Sequence, residues 1–578
     1  MDQEKHQKKI EEMFEKGILL SQDSLNQELD DTLIEKISAE EDLIVLNSDY
    51  REVIEQQSSL VDWYELDRYR VESEKDRDED LYQTQLQGFR QVTLNLRSDS
   101  FNQDQEVVSL ESDLELAEEG VKLSSGFSVD QEESSNVDET KIEITSLLTD
   151  NPENLTNTSP SSVTILISHK NYPQKHLITG FTNCFITRYK FLESLLRNRQ
   201  ELNNTTTINR VLGKKEKEQI SIIGIVEDIS ETKNKNLILT IEDPTGRMKV
   251  LITQSKKEIY AMAQDLVVDE VVGINGTCGD KIIFAENIVW PDIPRDSELK
   301  KGDADEYAIF LSDIHVGSKL FLKEEFEKFL KWLRGETGND NQRSIANKVK
   351  YIFIAGDLVD GVGIYPSQEE ELAIKDIREQ YVEFTRLISQ IPLDKKIIMC
   401  PGNHDAVHLA EPQSAFYPEF SPGLFDLPNV ELVTNPSLIN IGKTNTFGGF
   451  NVLMYHGYSF DYYVAHVSSI RTSGGYKRSD LIMKFLLKRR HLAPSFTSTP
   501  YFPSHEEDPL LIKKVPDFFI TGHIHYCSVA NYKGVTMISG SCWQDKTGFQ
   551  EKLGHEPEPG RVPLVNLRTR EVKVLRFR

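Results

Sequence analysis

The sequence predicts a multidomain chain: an α/β domain with its chemistry on loops, preceded by a small β-barrel. Three observations predict it. Five short apolar runs in the second half each lead directly into His, Asp or Asn turns. Residues 218–296 hold five strand-like runs in the order three strands, helix, two strands. Between Phe101 and Pro160 only Lys122 and Lys141 interrupt a long acidic series, which sets the N-terminal residues apart from the rest of the chain.

The five runs come first. Ala308–Ser312 leads into Asp313-Ile314-His315, and Tyr351–Ala355 into Gly356-Asp357. Lys396–Cys400 leads into Pro401-Gly402-Asn403-His404-Asp405. Asn451–Tyr455 precedes His456-Gly457, and Asp517–Thr521 precedes Gly522-His523-Ile524-His525. Short apolar runs bounded by turn residues read as buried strands, and α/β folds place their chemistry on loops at the strand ends. An amide oxygen, imidazoles and carboxylates gathered there can hold a metal and protonate something beside it. One such turn alone reads as an ordinary Asn/Asp/Gly turn. Five in a fixed order do not.

The barrel rests on alternation. Ile220–Val226, Leu237–Asp243, Met248–Ile252, Val271–Gly276 and Lys281–Ala285 are the strands, with a helical interval after the third. That order is the order of an OB-fold. Such barrels often stack single-stranded bases on aromatics, but only Tyr260, Phe284 and Trp290 are available here. A protein-contact or scaffold role fits better. Pro291 and Pro294, followed by a charged run, close this segment.

Towards the N-terminus, residues 1–60 show helical spacing, with Ile10, Met13, Phe14 and Ile18 followed by Leu25, Leu29, Leu33 and Ile37. A small helical module suited to docking is expected. Residues 61–162 read as a disordered acidic linker, too poor in apolar surface to offset its ordering entropy. Residues 163–212 read as a strand and a helix packing on the core, 213–296 as the barrel, and 300–578 as the α/β domain.

Composition narrows the function classes. A formal net charge of -27 over 578 residues excludes a protein that coats nucleic acid by bulk attraction. The five cysteines form no CxxC pair, which suits reduced thiols in a cytoplasmic protein. The polar N-terminus does not read as a signal peptide, and no apolar run reaches membrane-spanning length.

The pattern DxH…GD…GNHD…H…GHxH resembles that of the calcineurin-like metallophosphoesterases. The stretches Gly356–Gly361, Gly402–Gln413, Tyr455–Asp461, Lys488–Pro494 and Trp543–Gln550 are similar, more narrowly, to the small subunits of archaeal family D DNA polymerases. The likeness covers roughly residues 180–578. It implies a two-sheet α/β metallophosphoesterase sandwich preceded by an OB-fold barrel. It also implies a 3′→5′ exonuclease acting on single-stranded or mismatched DNA 3′ ends, assembled with a large catalytic polymerase subunit.

The same resemblance implies two divalent metals. Asp313, His315, Asp357 and His525 would hold one; Asp357, Asn403, His456 and His523 the other. The resemblance implies Mn²⁺, while the donor set also accommodates Fe²⁺ or Zn²⁺. His404 matches no ligand position and is placed to protonate the departing 3′ oxygen or stabilise the phosphorane. Asp405 would orient that imidazole or cap a helix, and Asp360 would back a ligand. Lys477, Arg478, Lys484, Lys488, Arg489 and Arg490 form either a track for the phosphate backbone or an ordinary solvated helix face. His491, His505 and His555 read as surface or structural. The motif residues alone do not select a substrate. Protein phosphatases, nucleotide phosphodiesterases and DNA nucleases share them, and architectural polymerase subunits keep the fold without the ligands.

Overall fold

The computed structural model describes residues 163–169, 178–213, 218–294, 299–502, 507–552 and 554–578, and two short strands near the N-terminus. Those two, β1 (Leu19–Leu20) and β2 (Val45–Leu46), pair in parallel within a separate unit. The helical module expected over 1–60 and the linker expected over 61–162 otherwise lie outside the described residues. No described helix is long and apolar enough to cross a membrane.

The larger unit begins with β3 (Val163–Ser168) and a helix, Ile178–Arg197. Strands β4 (Gln219–Glu231), β5 (Leu237–Asp243), β6 (Gly246–Ile252), β7 (Val271–Cys278) and β8 (Ile282–Val289) then close a barrel in the order β4-β5-β6-β8-β7. Side chains alternate across a strand, so Ile222, Leu239, Ile241, Val250, Ile252, Val272, Ile274 and Ile283 fill its interior. A Cβ on Gly224 would lie 2.6 Å from the Glu242 carbonyl oxygen. The long β4 therefore pairs with both β5 and β7 only because glycine stands where it passes from one to the other.

Beyond the barrel, β9 (Tyr307–Leu311), β10 (Val349–Ala355), β11 (Lys396–Cys400) and β12 (Val430–Leu432) run parallel in one sheet. A second sheet takes β13 (Ser437–Ile441), β14 (Phe450–Met454), β15 (Phe518–Thr521), β16 (Ser528–Tyr532) and β17 (Val535–Ser539). The last strands, β18 (Arg561–Asn566) and β19 (Val572–Arg576), return to the first. Sheet orders are β12-β11-β10-β9-β18-β19 and β16-β17-β15-β14-β13-β3. The strand before the barrel thus becomes an edge of the second sheet, antiparallel to β13.

Burial on both faces explains why the strands read as continuous apolar runs. Phe310, Phe353 and Ile398 turn inward against Val452, Met454, Phe518 and Ile520 of the other sheet. Phe310 stacks on Phe353 at 5.4 Å and meets Phe518 at 5.8 Å. Their neighbours Ile309, Leu311, Ile352 and Ile397 face Phe326, Phe329, Tyr381 and Phe384 of helices Lys323–Leu333 and Ile377–Ile388. On the far side, Leu453 and Phe519 lie under helices Phe460–His466 and Ser479–Arg489. The result is the expected sandwich of two sheets between helical layers. None of the five cysteines is bridged, and four of them are buried.

Buried charges join the barrel and its preceding helix to the sandwich. Arg188, on helix Ile178–Arg197, meets Asp508 at 2.7 Å and donates to the Pro494 carbonyl at 2.8 Å. Asp508 also faces His491 at 2.9 Å and accepts from the Tyr501 hydroxyl at 2.6 Å. Glu270, entering β7, pairs with Arg489 of the sandwich at 2.7 Å and accepts from the Trp290 indole at 2.8 Å. Burial opposes the charge on Asp508, but Arg188 and His491 outweigh it and hold the carboxyl below its usual range. Burial and the Arg188 guanidinium push His491 down to about 4.

Two outcomes are expected. Arg188→Ala leaves Asp508 buried without its cation, and urea titration is expected to show a loss of about 3–5 kcal/mol; an unchanged midpoint would mean the pair holds nothing together. His491 is neutral in the fold, whereas an unfolded imidazole takes up a proton near pH ~6.5. Its contribution is therefore complete above that pH and is lost as pH falls towards about 4. Burial raises Asp405 and Glu411 to about 7, which acts in the opposite sense. The difference between wild type and His491→Gln isolates the imidazole: stability of the variant is expected to fall less steeply between pH 6.5 and 4. Parallel curves would contradict it.

Candidate metal centre

Each expected ligand sits just past a strand end: Asp313 and His315 after β9, Asp357 after β10, Asn403 after β11, His456 after β14, His523 and His525 after β15. Five of these seven residues adopt left-handed backbone, with φ of 52° at Asp313, 54° at His315, 53° at Asp357, 68° at His523 and 57° at His525. Such a conformation costs a non-glycine residue of the order of 1–3 kcal/mol and persists where the surroundings over-determine it. Here the turns lock one another. The amides of Asp313 and His315 donate to the carbonyls of Gly356 and Asp357, at 3.0 and 3.1 Å. A Cβ on Gly402 would lie 2.2 Å from Asp357 Oδ1, so the Asn403 turn approaches only as glycine.

The ligating atoms converge in two groups. In one, His315 Nε2 lies 3.0 Å from His525 Nε2, which is 3.4 Å from Asp313 Oδ1. In the other, Asn403 Oδ1 lies 2.9 Å from His456 Nε2 and 3.0 Å from His523 Nδ1. Asp357 Oδ2 stands between them, 3.8 Å from His315 Nε2 and 3.3 Å from His456 Nε2. The second nitrogen of His456 donates to the Ala355 carbonyl at 2.8 Å, and that of His523 to Asp461 Oδ2 at 3.0 Å. Both rings therefore turn a lone pair towards carboxylate and amide oxygens. Lone pairs facing lone pairs need a cation or a proton between them, and this donor set fits divalent metals. Without a metal the protein draws protons instead: burial lowers His456, but Asp357 outweighs it and raises the imidazole to about 9. Burial likewise opposes ionisation of Asp357, yet His456, His404 and His315 hold its carboxyl well below the usual range.

His404 sits beside both groups. Its amide donates to Asp357 Oδ1 at 2.8 Å and Nδ1 donates to the Asp360 carbonyl at 2.7 Å, which leaves Nε2 as the free end. The ring stands edge-on to His315 with centroids 4.7 Å apart. Burial lowers its pKa. Asp405 does not orient this imidazole. Its carboxylate accepts from the Gly402 and Leu358 amides and from the Tyr381 hydroxyl, and so braces the turn from behind. Asp360 Oδ1 lies 3.2 Å from His315 Nδ1 and is itself held by Gln544 at 2.7 Å.

The Lys488-Arg489-Arg490 end of the basic segment does not form a track, whereas Lys484 is exposed. Arg489 and Arg490 are only 3% and 4% exposed. Arg489 is spent on Glu270, and Arg490 donates to the carbonyls of Ile512 and Lys513. Lys488 is half-buried over the Trp290 ring at 3.6 Å. Lys477 and Arg478 are exposed but paired with Glu556 and Asp480. The helix docks its basic end into the barrel interface instead of presenting it to solvent.

The calcineurin-like phosphoesterase family matches residues 308–527. A DNA polymerase II small subunit from Methanothermobacter thermautotrophicus is 41% identical over 382 residues, covering 66% of this chain and 76% of that protein. Another, from Archaeoglobus fulgidus, is 39% identical over 395 residues, covering 67% and 76%. The chain belongs to the archaeal DNA polymerase II small subunits. A further family member, from Methanocaldococcus jannaschii, is 39% identical and matched over 64% of its own length. Among solved structures, asparaginyl-tRNA synthetase from Pyrococcus horikoshii aligns over 15% of this chain and 22% of its own, at 14% identity and a TM-score of 0.14, too little to carry an argument.

Several residues of this small-subunit site gave no ligand signal in the sequence. Asp461 fixes the His523 tautomer, Gln550 lies 2.9 Å from His525 Nδ1, and Tyr381 secures Asp405. His555, expected to be surface or structural, lines the same cavity and packs on Tyr476 at 4.3 Å. Asp461→Ala frees the His523 ring and is expected to weaken Mn²⁺ binding about 10–100-fold in calorimetric titration. Unaltered affinity would show that His523 needs no such support.

Proposed function

We propose that this chain is a two-metal phosphodiesterase removing nucleotides from unpaired DNA 3′ ends, a 3′→5′ exonuclease serving a large polymerase subunit. The observation that supports this most is the single Asp357 oxygen between two groups of ligating atoms, with the free Nε2 of His404 beside them. Asp313, His315, Asp357 and His525 would hold one ion, and Asp357, Asn403, His456 and His523 the other. Mn²⁺ suits this set, as do Fe²⁺ and Zn²⁺. When bound, such a pair supplies Lewis acidity at the phosphoryl group and an activated water.

His404 does the proton work. Its Nδ1 is committed to the Asp360 carbonyl, so Nε2 is the exchanging position. Burial keeps the imidazole neutral in the protein alone; the negative charge of an incoming phosphodiester favours its protonated form. Nε2 then donates to the departing 3′ oxygen as the bond from phosphorus to that oxygen breaks. The products are a shortened strand with a 3′ hydroxyl and a 5′-nucleotide.

Strand delivery falls to the partner in this reading. The chain carries a net charge of -27, and Arg489 and Arg490 are buried. The barrel is an OB-fold whose role is contact with the large subunit. Its ion-paired mounting on the sandwich suits it to keep polymerase and nuclease sites at a fixed separation. Residues 1–60 and 61–162 serve as a tethered module and its linker.

The test is incubation of the full chain with Mn²⁺ and a labelled 3′-mismatched primer, with and without the large subunit. Shortening from the 3′ end is expected. Phosphate release from phosphopeptides with DNA intact would favour a phosphatase, and no hydrolysis in either assay an architectural subunit. His404→Ala is expected to keep wild-type metal content while cleavage falls about 10²–10⁴-fold. Loss of an ion from that variant would overturn the acid assignment.

A further inference from the structure

The cavity that holds these groups, about 480 Å³ in volume, has an apolar part that the proton and metal chemistry does not use. Ile364, Tyr365, Leu409 and Phe549 line it together with His404, Asn403 and His523. Phe549 is 40% exposed, Ile364 38% and Leu409 42%. Apolar side chains left open together in this way mark a binding surface. Their setting is built. The rings of Tyr365 and Phe549 stack at 5.1 Å and 18°. One carboxylate ties the two loops: Glu371 accepts from the Tyr365 hydroxyl at 2.7 Å and from the Gly548 amide at 3.2 Å. Tyr365 in turn lies 6.4 Å from the His404 ring.

We infer that Phe549, backed by Tyr365, is a stacking platform for the unpaired terminal bases of the strand being cleaved. This rests on the proposed nuclease activity. An exposed aromatic face reads no sequence, because every base has a π-face to offer it. It reads pairing instead. A base held in a duplex must first leave its stack and its partner, whereas a mismatched or single-stranded base is already free to swing onto the ring. A protein partner seated on the same surface would stop the cavity that the phosphodiester must enter. Tyr365, Tyr458 and Tyr476 also line the cavity but are half-buried, and Tyr476 already packs on His555. Phe549 is the exposed aromatic among the described lining residues.

The test compares two oligonucleotides that differ only at the 3′ end, one normal and one with its last two nucleotides abasic. Each is digested by the full chain with Mn²⁺ and the large subunit, as wild type, Phe549→Ala and Phe549→Trp. Phe549→Ala is expected to raise KM for the normal strand about five- to hundredfold, the range of one base–aromatic stack. The abasic strand is expected to be cut equally by both proteins, and Phe549→Trp to restore the normal strand. Equal losses on both strands, or no change on either, would overturn the platform while leaving the nuclease reading intact. A wild type that cuts neither strand would overturn both.

Discussion

The carboxylate of Asp357 lies buried between His315 and His456, with the His404 amide on its other oxygen. An anion so far from water is stable only if positive charge comes to it. In the protein alone His456, which burial lowers but Asp357 raises to about 9, supplies that charge. Two cations between the ligating groups would supply it better, because they also satisfy the lone pairs that His456 and His523 turn inward. The tight turns at Asp313, His315, His523 and His525 answer this need, since each aims a donor at the same few cubic ångströms.

Holding five residues in left-handed backbone within one site consumes several kcal/mol by the usual cost of about 1–3 kcal/mol each. The two-sheet core offsets it. Both faces of β10 are buried, so its C-terminal end cannot shift without disturbing Phe353 on one side and Ile352 and Ile354 on the other. The same rigidity extends outward through Arg188–Asp508 and Arg489–Glu270. Such buried pairs contribute little net stability, and removing one partner is what costs. Their effect is geometrical: barrel and sandwich are held in one register.

What could be read in the sequence was what repeats locally. The five strands ahead of the ligands are apolar runs ending in turn residues, and each formed where its pattern lay. Barrel strands were legible through alternation, although β4 runs on to Glu231 through a mostly exposed polar stretch in which Ile229 is the one apolar residue. Strand β3 finds its partner in β13, far along the chain, which no local pattern announces. The Lys488-Arg489-Arg490 run misled for the same reason. Its charge was plain, but Trp290 and Glu270, which meet Lys488 and Arg489, come from the barrel segment, and the carbonyls that hold Arg490 lie more than twenty residues on. Asp405 was read from its neighbour His404, whereas its true partners are two amides and Tyr381. Phe549 could not have been placed at all without Tyr365 beside it.

The most direct measurement is anomalous diffraction at the manganese edge from crystals grown with Mn²⁺. Two peaks about 3.5–4 Å apart are expected, sharing Asp357, one beside Asp313, His315 and His525 and the other beside Asn403, His456 and His523. A single peak displaced to Asp360 and His404, or no peak at saturating Mn²⁺, would contradict the account.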